Sequence, residues 1–152
     1  MILKTVTLQE ANGLLPLVRE HFCRIHVLLA HLQQLRAQLS KKISQRYRVD
    51  PRSETIVIKK KRSRHYKSCS KEIHEVEELI EREISDVMRL GAVIKGLVPP
   101  HIDFFSIRNN EPIFLCWHGG DSEIIHWHQL DDGSPLRHAI AKKQFFGPHV
   151  VH

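Results

Sequence analysis

Eight apolar residues, Val18, Phe22, Ile25, Leu29, Leu32, Leu35, Leu39 and Ile43, recur at steps of three and four along the first third of the chain. That period puts them on one face of an α-helix of about 30 residues, roughly 45 Å long. A second seam follows at Ile73, Val76, Ile80, Ile84, Val87 and Leu90, with Glu72, Glu75, Glu77, Glu78, Glu81, Glu83 and Asp86 over much of the remaining surface. Gly91 is suited to stop it, because glycine adopts the left-handed conformation cheaply. Two long apolar seams joined by one connection predict an antiparallel helical hairpin over about 8–90, packed like a coiled coil. The first helix has its own start signal. Thr7 is a good N-cap, and Glu10 three residues later completes a capping box. Pro16 falls inside the pattern and is expected to kink the helix or mark a second start.

The rest of the chain changes period. The opening "ILKTVT" alternates and reads as a strand over residues 1–6. "GAVIKGLVPPHIDF" reads as a strand near 92–98 followed by a Pro-Pro turn. "EPIFLCWHGGDSEIIHWHQL" reads as a β-hairpin over 113–130 around Gly119-Gly120. Asp131-Asp132-Gly133 is another turn, and the tail 134–152 has room for one short helical turn. Between the helices, Asp50-Pro51 predicts a turn and "ETIVIKKK" a strand or an extended loop.

The chain has 152 residues, 41% hydrophobic and 26% charged, which suits one globular domain with a full core. No run approaches a membrane span, and the first residues lack the order of a secretory signal, so a cytoplasmic location is expected. The three cysteines, Cys23, Cys69 and Cys116, form no C-x-x-C pair and are expected as reduced thiols.

The net charge is +6, but its distribution matters more: residues 40–67 hold 11 Lys/Arg against 2 acids, and the other 124 residues hold 12 against 15. All the excess positive charge therefore lies in the connection at the hairpin tip. Lys59, Lys60, Lys61, Arg62, Arg64 and Lys67 can neutralise phosphates of RNA or DNA without reading sequence, with Tyr47 and Tyr66 as stacking surfaces. The plainer reading is a solvated loop, or one that pairs with the acidic second helix of a neighbouring copy.

Strand parity sorts the side chains of the 113–130 hairpin. If 118 pairs with 124 or 122, then Ile113, Leu115, Trp117, Ile125 and Trp127 share an apolar face. Phe114, Cys116, His118, His126 and His128 share the other. A one-residue slip would mix tryptophans with histidines on both faces, which burial disfavours. One thiol and three imidazoles on a common face are candidate zinc ligands: Cys116, His118, His126 and His128. Ligands spaced along a flat strand diverge, so Asp103 or His101 is expected to supply a further ligand. The plainer reading is a polar outer face around a buried free cysteine. Cys116 as a nucleophile would use His126 or His128 as base, oriented by Asp103 or Asp131, but a mid-strand cysteine lacks the usual thiolate-stabilising setting. His21, His26, His31, His65, His74 and His138 have no spacing that gathers ligands. For Arg137, a structural ion pair with Asp103 is the simple expectation, and an anion-binding pocket with His128 the sharper one.

Three stretches, "TLQEANGLLPLV", "LGAVIKGL" and "IDFFSIRNNEPIFLCWHGGDSEIIHWHQLDDGSPLRHAI", resemble a bacterial family of unknown function, domain of unknown function 2203. The resemblance covers both ends of the chain, and it implies no activity. In such relatives an arginine-like residue is expected where His118 stands and an aromatic where His126 stands.

The reading of the chain is thus an α+β single domain, a long helical hairpin packed on a small, mainly antiparallel sheet. The leading functional expectation is a non-enzymatic interaction module, self-associating through its helices, whose basic tip contacts an acidic partner such as RNA or DNA. The alternative is a metal-binding (zinc) or anion-binding site on the Cys/His face of the C-terminal hairpin.

Overall fold

Thr7 caps the first helix as its sequence predicts. Its Oγ1 accepts the Glu10 amide at 3.0 Å, and its own amide donates to Glu10 Oε2 at 3.3 Å. The computed structural model describes residues 4–49, 52, 56–58, 64–131, 136–141 and 144–148. From the cap, α1 runs over Leu8–Arg46 with Pro16 inside it, so the proline neither ends the helix nor starts a second. Next come β1 (Tyr47–Val49), β2 (Ile56–Ile58) and α2 (Arg64–Arg89). Gly91, at φ 97°, closes α2 in the left-handed region, where a side chain would be strained. Five strands follow: β3 (Ala92–Gly96), β4 (His101–Arg108), β5 (Glu111–His118), β6 (His126–Gln129) and β7 (His138–Ala139). They form one antiparallel sheet in sequence order, while β1 and β2 pair separately. The architecture is α+β, two helices and a five-stranded antiparallel sheet.

The chain divides into two compact units: residues 1–26 with 83–152, and residues 27–82. In the second unit Leu32, Leu35, Cys69, Val76 and Ile80 are buried. His31 meets Glu72 at 3.2 Å and the Cys69 thiol lies 3.5 Å from the Leu35 carbonyl, so the two helices run antiparallel. Ile43, expected on the seam, is 38% exposed.

In the first unit the sheet buries one face. Ile102, Phe104 and Ser106 of β4, Ile113, Leu115 and Trp117 of β5, and Trp127 of β6 share it, and all are buried. Leu15, Val18, Phe22 and Ile25 of α1 and Val87 of α2 are the buried helical residues of the same unit. The Phe22 and Trp117 rings are 6.4 Å apart, and the Arg19 guanidinium lies 5.7 Å from the Trp117 ring centre. Each fully buried aliphatic or phenyl side chain in this layer contributes about 1.5–3 kcal/mol.

Three expectations need correction. Of the strand expected over residues 1–6, residues 1–3 lie outside the described residues and residues 4–6 form no strand; Val6 instead gives its amide to Phe105 O and takes the Ser106 hydroxyl on its carbonyl. β4, expected only as a turn, is an interior strand between β3 and β5, joined to β5 through Asn109-Asn110. Both asparagines take positive φ (50° and 63°), as a two-residue hairpin turn requires. The tail supplies β7, which was not expected, and Leu136 just before it is in a 3-10 conformation, with residues 132–135 outside the described residues. Finally, the β5–β6 connection spans 119–125 and is not a tight Gly-Gly turn. Ile124, not Ile125, is the buried residue there, because the Ile124 amide is held by Asn12 Oδ1 at 2.8 Å. Trp117 Nε1 and Arg19 Nη2 both donate to the Asp121 carbonyl, fixing the same loop. Asp132 and Gly133 of the expected turn lie outside the described residues.

Candidate metal centre

The register Leu115↔Trp127 and Cys116↔His126 corresponds to 118 opposite 124, one of the two pairings expected. Trp117 and Trp127 therefore share the core face, and Phe114, Cys116, His118, His126 and His128 share the other. β4 completes the second face by pairing Asp103 with Cys116 and His101 with His118. Both of the extra residues named from the sequence thus come to the cluster from a strand that was not anticipated. The readable signal was the alternation in "HIDFFSIR", where His101 and Asp103 stand two apart.

This face is not solvated. Cys116 is 0%, Asp103 1% and His128 5% exposed. His101 Nε2 is 3.2 Å from Cys116 Sγ and 3.6 Å from Asp103 Oδ1, and His128 Nε2 is 3.1 Å from Asp103 Oδ2. The His101 and His118 rings are 4.2 Å apart between centroids. Two overlapping triads result, His101–Cys116–His118 and Asp103–Cys116–His128, and within each the ligand atoms all lie within 4.8 Å of one another. His126 belongs to neither triad. Its Nδ1 takes Arg137 Nη2 at 2.8 Å, so the expected set of Cys116, His118, His126 and His128 loses one member and gains two.

His128 Nδ1 faces the Gln129 carbonyl at 2.9 Å, and a carbonyl can only accept, so the proton sits on Nδ1. In a neutral ring Nε2 then presents its lone pair to Asp103 Oδ2. Asp103 Oδ1 accepts no hydrogen bond, and His118 Nε2 is also enclosed and unpartnered. A buried carboxylate oxygen left this way is costly unless something positive stands beside it.

Burial pushes the Cys116 thiol up to about 12, and the Asp103 charge pushes the same way, while Arg137 opposes both. At neutral pH it is a thiol, even with His101 Nε2 at 3.2 Å from its sulfur. The nucleophile reading therefore lacks the activated thiolate it needs. Burial likewise lowers the His101 and His118 pKa values below the ordinary 6.5; at His101 the Asp103 charge opposes this and His118 and Arg137 add to it, and at His118 Arg137 adds to it.

The Asp103–Arg137 ion pair is not formed: among the described residues no carboxylate lies within 4 Å of the Arg137 guanidinium, and Asp103 turns to His128 and His101. His128 cannot share an anion with Arg137, since Gln129 and Asp103 occupy both ring nitrogens. A third group, His21–Glu83–Asp86, is already satisfied, because Arg24 and His21 hold Glu83 and Arg89 holds Asp86. At the basic connection, Arg64 and Lys67 are exposed, whereas Lys59, Lys60, Lys61 and Arg62 lie outside the described residues, as do the side chains of Tyr47 and His65. Among the described residues no helix is long and apolar enough to cross a membrane.

No curated protein and no solved structure matches the chain. A family model does, over residues 4–140, a span that holds every residue of the cluster and Arg137. The chain belongs to that family, described as an uncharacterized conserved protein, DUF2203.

Proposed function

We propose that the protein binds one divalent transition-metal ion, zinc by preference, among Cys116, Asp103, His101 and His128, with His118 beside them. The observation that carries this reading is the Asp103 carboxylate. It is 1% exposed, one of its oxygens accepts nothing, and the other faces an imidazole nitrogen whose ring proton is on the far side. A His128 imidazolium would answer only the second of these points and would leave Oδ1 bare. A cation among the ligands answers both. With zinc–ligand bonds of 2.0–2.3 Å, the edges of a tetrahedral site are about 3.3–3.8 Å. Individual separations of 3.1, 3.2 and 3.6 Å are close to that, and since they use both Asp103 oxygens, side-chain shifts are needed to bring all four ligands to one ion. The His128 Nδ1 contact with a backbone carbonyl is the outer contact by which metal-ligating histidines are usually oriented. Thiolate, imidazole and carboxylate together suit zinc better than calcium or magnesium, which take oxygen ligands.

Elemental analysis of protein purified without an affinity tag tests this. About one equivalent of zinc is expected, or uptake of one equivalent by chelator-treated protein. Protein that arrives metal-free and takes up neither zinc nor cobalt would end the reading.

A second reading concerns the basic connection, which we propose contacts an acidic partner such as nucleic acid. It is supported by α2 opening with exposed Arg64 and Lys67 and no acidic residue in its first turn, against the preference of a helix N-terminus for negative charge. A mobility shift at two salt concentrations tests it. Binding should weaken as salt rises and be lost when Lys59, Lys60, Lys61 and Arg62 are changed to serine. Equal binding by the altered protein contradicts it.

A further inference from the structure

Charge counting at the proposed metal site leaves a remainder. A divalent ion with the Cys116 thiolate, the Asp103 carboxylate and neutral imidazoles sums to zero. Arg137 then adds one positive charge in a half-buried position. Its guanidinium bonds His126 Nδ1 at 2.8 Å, which is an acceptor and so unprotonated at that nitrogen, and also the Cys116 sulfur, while its Nε is enclosed with no partner. No carboxylate of the described residues lies within 4 Å of it. Nearby carboxylates are committed elsewhere: Asp103 turns to the histidines, and Asp121 accepts the His118 amide at 3.4 Å. Arg137 is nevertheless close enough to act electrostatically on Cys116, His101 and His118. An arginine held beside a ligand set, with part of its donor fork unused, is arranged to take two oxygens of one planar or tetrahedral anion.

Resting on the metal reading, we infer that Arg137 and the metal together bind a small carboxylate or inorganic oxyanion from solution, the anion adding a fifth ligand to the four supplied by the protein. His118 Nε2, enclosed and unpartnered, offers a further contact to the same anion if it is not itself on the metal. The ligand class is thus a compact oxyanion, with acetate and inorganic phosphate as probes of its two geometries. His126 would be a positioning residue, acting through its bond to Arg137.

The experiment is to load the untagged full chain with Co2+ and follow its absorption spectrum while adding acetate or phosphate. The thiolate-to-cobalt band in the near ultraviolet reports the metal site, and the visible d–d bands report its coordination number. We expect the d–d bands to shift and saturate with at least one of the two anions. Arg137→Gln should keep the near-ultraviolet band at one equivalent of cobalt but raise the half-saturating anion concentration at least tenfold. Arg137→Lys, which keeps the charge and loses the fork, should fall between. Wild-type bands that neither anion moves would overturn the inference without any variant, as would equal half-saturation in Arg137→Gln and wild type. A wild-type spectrum lacking the thiolate band overturns the metal reading itself, and this inference with it.

Discussion

Asp103 pairs with Cys116 across β4 and β5 because a two-residue turn at Asn109-Asn110 sets that register, and the pairing leaves its carboxylate with nowhere to find water. Two substitutions separate a ligand role from a packing role there. Cys116→Ser keeps the volume and removes the soft donor, and Asp103→Asn keeps the shape and removes the charge. Each is expected to lower zinc affinity by at least about tenfold, the lower end of what even outer contacts to a metal contribute. Competition with a chromogenic chelator measures this, and unchanged affinity in both would count against the assignment. Zinc at about 100 times its Kd should stabilise the wild type by about 2.7 kcal/mol, and less in either variant at the same concentration. His128 was legible from the sequence only as a member of a face. Its role depends on the Gln129 carbonyl, a backbone contact that no side-chain pattern announces.

At the scale of elements, the parity of β5 and β6 was legible because the two tryptophans and the histidines alternate strictly, and a slip would bury imidazoles among the helices. β4 was not, because its acid stands in the middle of an apolar run and a Pro-Pro pair precedes it. β7 has only two residues, too few for any period to appear. Arg137 has the same difficulty, since its partner is set by where the tail happens to lie. The β5–β6 loop offers a direct test of the packing. A methyl at Gly119 would meet the Pro100 side chain at 2.9 Å, while Gly119 N donates to Pro100 O at 2.9 Å, so the two backbones cannot easily separate. Gly119→Ala is expected to cost about 1–3 kcal/mol in urea unfolding, in the range of overpacking. The neighbouring Gly120→Ala, with open space around it, should cost clearly less. Equal costs would mean that the contact with Pro100 does not constrain the loop.

Over the whole molecule, charge couples stability to pH in one traceable way. Burial works against ionisation of Glu83, but hydrogen bonds from His21 at 2.5 Å and Arg24 at 2.9 Å outweigh it and hold its pKa below the ordinary 4.5. A depressed carboxylate contributes stability that is complete above its unfolded value and disappears as the pH falls through the lowered folded one. Glu83→Gln should therefore destabilise at pH 7, and the gap from wild type should close at pH values below about 4.5 in denaturant titrations. A gap that stays constant across that range would contradict the ionic origin. The long helices and the basic excess of residues 40–67 were legible from period and composition alone. The buried ligand cluster was legible only in part, because it needs three strands to meet. X-ray absorption at the zinc edge of metal-loaded protein addresses that cluster most directly. One sulfur scatterer at about 2.3 Å with nitrogen or oxygen neighbours at about 2.0–2.2 Å is the expected shell. A shell of light atoms alone, with Cys116 intact, would contradict it.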